Sequence, residues 1–269
     1  MLIHWSFDPI LLSLGPLTVR WYGLLFVGAF LIGQWMLGRM FVAEGVPREN
    51  AERLMIRALL GAIVGARLVH CVFYEPQYYL SHPLAILRIW EGGLASHGGT
   101  LGMLLALWFA ARSSQPRLPF LWLIDRASLP AALGAMFIRI ANFLNSEIVG
   151  VPTSGRWGVV FDAVDAQPRH PAQLYEAAAY LLVFGLLAWL YRRFGARSPH
   201  GLLSGVLLAA IFAARIAVEF VKTPQAAYEN GQTFTVGQWL SVPFVLIGIG
   251  MVVRALRGPK PVADTAGAA

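Results

Sequence analysis

Arg139, Asn142, Asn145 and Glu147 fall in one short stretch, RIANFLNSE, at the end of an apolar run that begins near Phe120. Arg139, Asn142 and Ser146 are spaced to share one face of a helix, and Glu147 follows about two turns on. A second arginine, Arg215, precedes Glu219 by four residues, which again puts cation and carboxylate on one face. A third, Arg67, lies in the apolar stretch around GARL. His97 is followed by Gly98 and Gly99, which allow close approach of a backbone or a substrate. Histidine is the side chain whose ordinary pKa suits proton transfer near neutrality. Tyr22 and His170 complete the set. The arginine fork matches phosphate oxygens, so these residues point to an anion site with one candidate base. Each member also has a plainer reading. Arg215 and Glu219 can form a helix-stabilising pair, Asn142 and Asn145 can cap a helix end, and Tyr22 fits an interfacial aromatic belt. The lone cysteine, Cys71, sits among apolar residues and reads as packing; it excludes an internal disulfide and a Cys-rich metal site.

The elements that must position these groups follow from composition. Of 269 residues, 57% are hydrophobic and only 13% charged, with mean hydropathy +0.61. Soluble domains carry about 25% charged residues. The chain therefore reads as an all-α integral membrane protein. Seven transmembrane helices are predicted, at about 21–38, 54–74, 93–111, 120–142, 172–191, 202–221 and 236–256. They form a single polytopic domain over 1–257, followed by a disordered cytoplasmic tail at 258–269. The connection 143–171 reads as a small extracytoplasmic loop region with a possible hairpin. The first 18 residues lack a basic start and contain Asp8, Pro9 and Pro16, so no cleavable signal peptide is expected there. They read as an amphipathic segment on the membrane surface. GAIVG, 61–65, has the small-xxx-small form of a close helix contact.

Loop charge sets the orientation. Arg39, Arg48, Arg53, Arg112, Arg117, Arg192, Arg193, Arg197, Arg254, Arg257 and Lys260 fall on one side, against Arg20, Arg88, Arg156, Arg169 and Lys222 on the other. The positive-inside rule places the larger group in the cytoplasm, with the N-terminus outside and the C-terminus inside. Arg57 and Arg126 then lie near cytoplasmic helix ends and are expected to snorkel to the interface. Tyr22, Arg67, His97, Arg139, His170 and Arg215 fall in the outer half of the bilayer. An arginine in a span is costly unless paired or hydrated, so the cluster implies a cavity open to the outer leaflet. The net charge of +7 is read as anchoring to anionic lipid, with no nucleic acid as partner.

IRIANFLNSEIVG, 138–150, resembles the signature G-R-x-[GA]-N-F-x-N-x-E-x-x-G of the prolipoprotein diacylglyceryl transferase family, matching at Arg139, Ala141, Asn142, Phe143, Asn145, Glu147 and Gly150. WYG (21–23), GARL (65–68), HGG (97–99), RHPAQLYEA (169–177), RIAVEF (215–220) and VGQWLS (236–241) are similar to the family's other blocks, in its order. The chain departs from the pattern at Ile138, Thr100 and Ile211. The resemblance implies transfer of the diacylglyceryl group of phosphatidylglycerol to the lipobox cysteine thiol of a prolipoprotein, the first step of bacterial lipoprotein maturation. A thioether forms and glycerol-1-phosphate leaves. No metal or soluble cofactor is implied. The implied partners are phosphatidylglycerol, membrane lipid and the prolipoprotein signal peptide, and the implied place is the bacterial cytoplasmic (inner) membrane. On this reading His97, Arg139 and Arg215 are catalytic. Tyr22, Arg67, Gly98, Gly99, Asn142, Asn145, Glu147, Gly150 and Glu219 bind or support the substrate, with Glu219 fixing Arg215. The rival readings are a catalytically silent homologue that binds lipoprotein precursors and an anionic-lipid transporter or scramblase, for which Asp125 is the main inner-half polar group.

Overall fold

A computed structural model describes residues 2–15, 17–114, 117–154, 157–223 and 234–258. The tail expected at 258–269 lies outside them, apart from Gly258. Eight helices are present among the described residues: α1 (Trp21–Ala43), α2 (Arg48–Phe73), α3 (Pro76–Ser81), α4 (Ser96–Ser113), α5 (Phe120–Leu144), α6 (Ala172–Phe194), α7 (Leu202–Glu219) and α8 (Val236–Arg257). Six of these, α1, α2, α5, α6, α7 and α8, are long and apolar enough to cross a membrane. The predicted third span at 93–111 does form a helix, α4, but α4 is not among the six. Its first turn, SHGGT, is small and polar.

The helices are not the whole fold, so all-α is corrected. Five short strands are described: β1 (Leu2–Trp5), β2 (Ile10–Leu14), β3 (Leu17–Arg20), β4 (Gly158–Phe161) and β5 (Pro168–Arg169). β1 pairs in parallel with β4, from Leu2↔Gly158 to Trp5↔Phe161, and β4 pairs antiparallel with β5. β2 and β3 form a separate hairpin. The expected amphipathic surface segment therefore consists of β1, β2 and the start of β3. The cause lies in the residues: LIHW and GVVF are apolar, β-prone runs that complete each other's hydrogen bonds. The hairpin anticipated inside 143–171 is β4–β5. Trp5, Phe143, Val149, Val159 and Phe161 form the small core of this region, with the Trp5 and Phe143 rings 4.4 Å apart.

The described residues divide into two compact units, one drawn from 1–36 and 125–269, the other from 37–124. In the second unit α2 and α4 approach through glycine. A Cβ on Gly65 would lie 2.3 Å from the Gly98 carbonyl oxygen, and one on Gly102 would lie 2.1 Å from that of Gly61. GAIVG is the close contact its pattern predicts. At the other end of this unit Leu37, Phe41, Leu54, Leu107, Trp122 and Leu123 form its apolar core.

In the first unit α7 begins without a cap of its own. Asp125, at the start of α5, supplies one from a different helix: its carboxylate accepts from the Gly201 amide at 2.6 Å and the Ser204 amide at 2.8 Å. The Ser204 hydroxyl donates to it at 2.6 Å. A cap of this kind satisfies amides that have no partner within the helix. Asp125 is thus committed to structure and no longer favours a transport path. Arg126 is fully buried, which corrects the expected snorkelling. Arg57 is exposed and donates to Ser113 at 2.9 Å.

Candidate active site

The last turn of α5 carries the centre of the site in the first unit. The Arg139 Nη1 donates to Asn142 Oδ1 at 3.2 Å, and the Asn142 amide donates to Glu147 at 2.9 Å. The Asn145 amide donates to the other Glu147 oxygen at 3.0 Å. Asn142 and Asn145 therefore bridge charges and do not act as simple caps. Glu147 does not continue the helical face. The chain leaves α5 at Leu144, and Ser146 and Ile148 take φ of 55° and 56°. Positive φ is unfavourable for a β-branched residue, and such strain collects at functional sites. It folds the Glu147 carboxylate back onto the asparagines, while the Gln173 side chain donates to the Glu147 carbonyl at 2.5 Å.

A second carboxylate, Glu176 of α6, was not singled out from the sequence. It is fully buried and pairs with Arg139 Nε at 3.0 Å and with Lys222 Nζ at 2.9 Å. Lys222 reaches on to Glu219 at 3.4 Å, and the Thr235 hydroxyl at the start of α8 donates to Glu219 at 3.3 Å. Gln238 fastens α8 to α7 by donating to the Ile216 carbonyl at 3.1 Å. A continuous network thus links the C-terminal ends of α5 and α7 with the N-terminal ends of α6 and α8. The signal for Glu176 was available: it is the only acidic residue in α6, and an ionisable group in a spanning helix is a site candidate by default. Lys222, counted among the loop cations, is buried in this network.

The expected Arg215–Glu219 pair does not form; the Glu219 carboxylate goes to Lys222 and Thr235. The Arg215 guanidinium is partly buried on a spanning helix, with no hydrogen bond or ion pair to any described residue. The Tyr180 hydroxyl, which donates to Glu176 at 3.4 Å, is within electrostatic reach of both Arg139 and Arg215. Tyr22, at the start of α1, lines an open cleft of ≈ 530 Å³ with Thr18, Arg20, Gly23, Asn145 and Glu147. Gly150 supports the loop beneath. A Cβ there would meet the His170 and Val221 carbonyl oxygens at 2.5 and 2.6 Å, so no larger side chain fits. Arg169 braces the same loop, donating to the Gly150 carbonyl at 3.0 Å and chelating Asp165. These bonds hold the Asp165 carboxyl below its ordinary pKa. His170 stays outside the network, against the Tyr175 hydroxyl at 3.2 Å.

Arg67, His97, Gly98 and Gly99 belong to the second unit. Each of the five Arg67 N–H groups ends on a carbonyl, those of Ala85, Ile86, Arg88, Gly92 and Gly93, at 2.6–3.2 Å. No donor remains for a substrate. Arg67 fastens the segment between α2 and α4. The Ala95 amide donates to the Ala66 carbonyl at 3.0 Å, just before α4 starts. His97, in the first turn of α4, is exposed and makes no hydrogen bond with a described residue. Gly98 serves the contact with α2, whereas a Cβ on Gly99 would meet only ordinary contacts.

Six helices able to span a membrane, with a buried network of arginine, lysine and carboxylates at their ends, define a multi-pass membrane protein. The model of the family described as prolipoprotein diacylglyceryl transferase matches residues 9–254, and the chain belongs to that family. It is 52% identical over 256 residues to a phosphatidylglycerol–prolipoprotein diacylglyceryl transferase of Tolumonas auensis, covering 95% of this chain and 98% of that one. Proteins of the same name from Chloroherpeton thalassium and Porphyromonas gingivalis are 46% and 42% identical, each over at least 95% of both chains.

Proposed function

We infer that this chain transfers the diacylglyceryl group of phosphatidylglycerol to the lipobox cysteine of prolipoproteins. The observation that carries the site assignment is Arg215: a partly buried guanidinium on a spanning helix, within electrostatic reach of Tyr180, with no hydrogen-bond or ion-pair partner among the described residues. A cation left in that state suits an anion brought by the substrate. In the reaction the cysteine sulfur attacks the glyceryl carbon that bears the phosphate. The S–C bond forms, the C–O bond to phosphate breaks, and the electron pair leaves on glycerol-1-phosphate. Arg215 and Arg139 stabilise the charge gathering on that leaving group. The thiol gives up its proton, and His97 is the proposed acceptor.

Tyr22, Asn145 and Glu147 line the cleft that receives the lipid headgroup. Asn142 holds Arg139, Gly150 lets the loop pack, Glu219 anchors Lys222, and Gly98 and Gly99 form the glycine entry beside His97 where α4 meets α2. Arg67 acts on protein carbonyls alone. The protein lies in the bacterial cytoplasmic membrane with α4 as its seventh span, the N-terminus outside, the C-terminus cytoplasmic and the site toward the outer leaflet. The excess of arginine in the loops assigned to the cytoplasm supports this orientation.

The test uses purified protein, phosphatidylglycerol and a lipobox peptide, read by mass spectrometry. A diacylglyceryl mass gain on the peptide cysteine, absent with folded Arg215→Ala, is the expected result. No gain with folded wild type across several anionic lipids and peptides would overturn the transferase reading.

A further inference from the structure

The segment between α2 and α4 has an inside and an outside, and its outside is apolar. Tyr79 and Ala85 are buried with Cys71 against Ile86, a small core of their own. Their neighbours point away: Leu80 is 84% exposed, Leu84 76%, Leu87 70% and Trp90 77%. This is not a loop that has failed to collapse. The five bonds from Arg67 fix its backbone, the Arg67 guanidinium lies 5.1 Å from the Tyr79 ring centroid, and Gly93 packs so closely on His70 and Arg67 that a Cβ would meet both below 3 Å. A preformed frame displays large apolar side chains.

We propose that residues 74–94 form an interfacial lipid-docking element, seated in the headgroup and upper acyl region of the bilayer. Continuity with a membrane-facing surface identifies the occupant. Along α2, a helix able to span the membrane, Leu60, Val64, Leu68 and Val72 are exposed at four-residue intervals, and the strip ends at Phe73 and Tyr74, where the element begins. The element's own helices, α3 at six residues followed by 3₁₀ turns at Pro83–Leu87 and Ile89–Glu91, are too short to enter the bilayer as a span. Trp90, Tyr74 and Tyr78 are the residue types that settle at the membrane–water boundary. Apolar side chains around them are what an interfacial element buries. On the proposed function, the protein thereby has a fixed lipid-contacting surface immediately before the turn that carries His97.

The experiment places single cysteines at Leu84, Trp90 and, as a water-exposed control, Ala166, labels them with bimane and reconstitutes the protein in phosphatidylethanolamine–phosphatidylglycerol vesicles. Cys71 is buried, and the labelled parent chain serves as blank. Thermal unfolding in detergent verifies that each variant is folded. The expected result is blue-shifted emission at positions 84 and 90, quenched several-fold more by phospholipid carrying a nitroxide near the ester carbonyls than by aqueous iodide, with the order reversed at 166. Iodide quenching at 84 and 90 equal to that at 166 would overturn the proposal. So would protection from both quenchers that varies with protein-to-lipid ratio, which would assign the face to a second copy of the chain.

Discussion

Arg67 and Arg215 are both arginines on helices long and apolar enough to span a membrane, and they have opposite surroundings. Arg67 is 4% exposed and every donor it owns is taken by a carbonyl of its own unit. Arg215 is partly buried and has no bonding partner among the described residues. An arginine in a spanning helix is therefore not evidence of a ligand by itself. What distinguishes the two is the donor capacity left after the fold has been satisfied.

Exchanging the roles in a measurement is the strongest way to break this contrast. Arg215→Ala is expected to lower transfer by ~10²–10³-fold, the scale seen for removing one charge-stabilising donor, with little change in thermal unfolding. Arg67→Ala is expected to do the reverse, lowering the unfolding temperature in detergent while the protein that stays folded keeps most of its turnover. A large loss of unfolding temperature in Arg215→Ala would remove the distinction.

The next largest effect tests whether Arg139 lies between the two extremes. Glu176→Gln keeps the shape but removes the charge shared by Arg139 and Lys222. Loss of one partner from a buried ion pair costs about 3–5 kcal/mol, so this variant is expected to lose both stability and transfer, unlike either arginine variant alone. Unchanged unfolding would show that the network tolerates an unbalanced cation. Arg67→Lys sharpens the structural side: one ammonium has three donors and no planar fork, so it leaves carbonyls unmet, and recovery of wild-type stability would refute the five-bond account.

The smallest effect is in the loop. Arg169 holds the Asp165 carboxyl below its ordinary pKa, so the stability this pair contributes is fully present above the unfolded-state value, near pH 4. It is lost as pH falls through the lower folded-state value. Asp165→Asn is expected to flatten that part of the unfolding profile, measured between about pH 5 and 3, and to leave transfer at neutral pH nearly unchanged.

Much of this was legible in the sequence because membrane helices announce themselves by apolar length, and because Arg139, Asn142, Asn145 and Glu147 lie close together. The structure brings those four into one hydrogen-bonded chain. Glu176 was legible too, as the lone carboxylate of α6. Two things were not. The partner of Glu219 depended on Lys222 and Thr235 arriving from beyond the helix, which spacing along α7 cannot reveal. The destination of Arg67 depended on five backbone carbonyls, and backbone acceptors carry no sequence signal. The strands were missed for a related reason: β1 is only four residues and finds its partner far along the chain.

That distance has a consequence for how the molecule is made. Leu2 pairs with Gly158 and Trp5 with Phe161, so β1 leaves the ribosome long before β4 exists. Through the synthesis of α1 to α5 its backbone amides have no sheet to join. Long-range pairing of this kind forms late, after the closure entropy of the intervening chain has been met. The order of events is thus written into the register: the helices between the strands come first, and the β1–β4–β5 sheet is the latch that closes behind them.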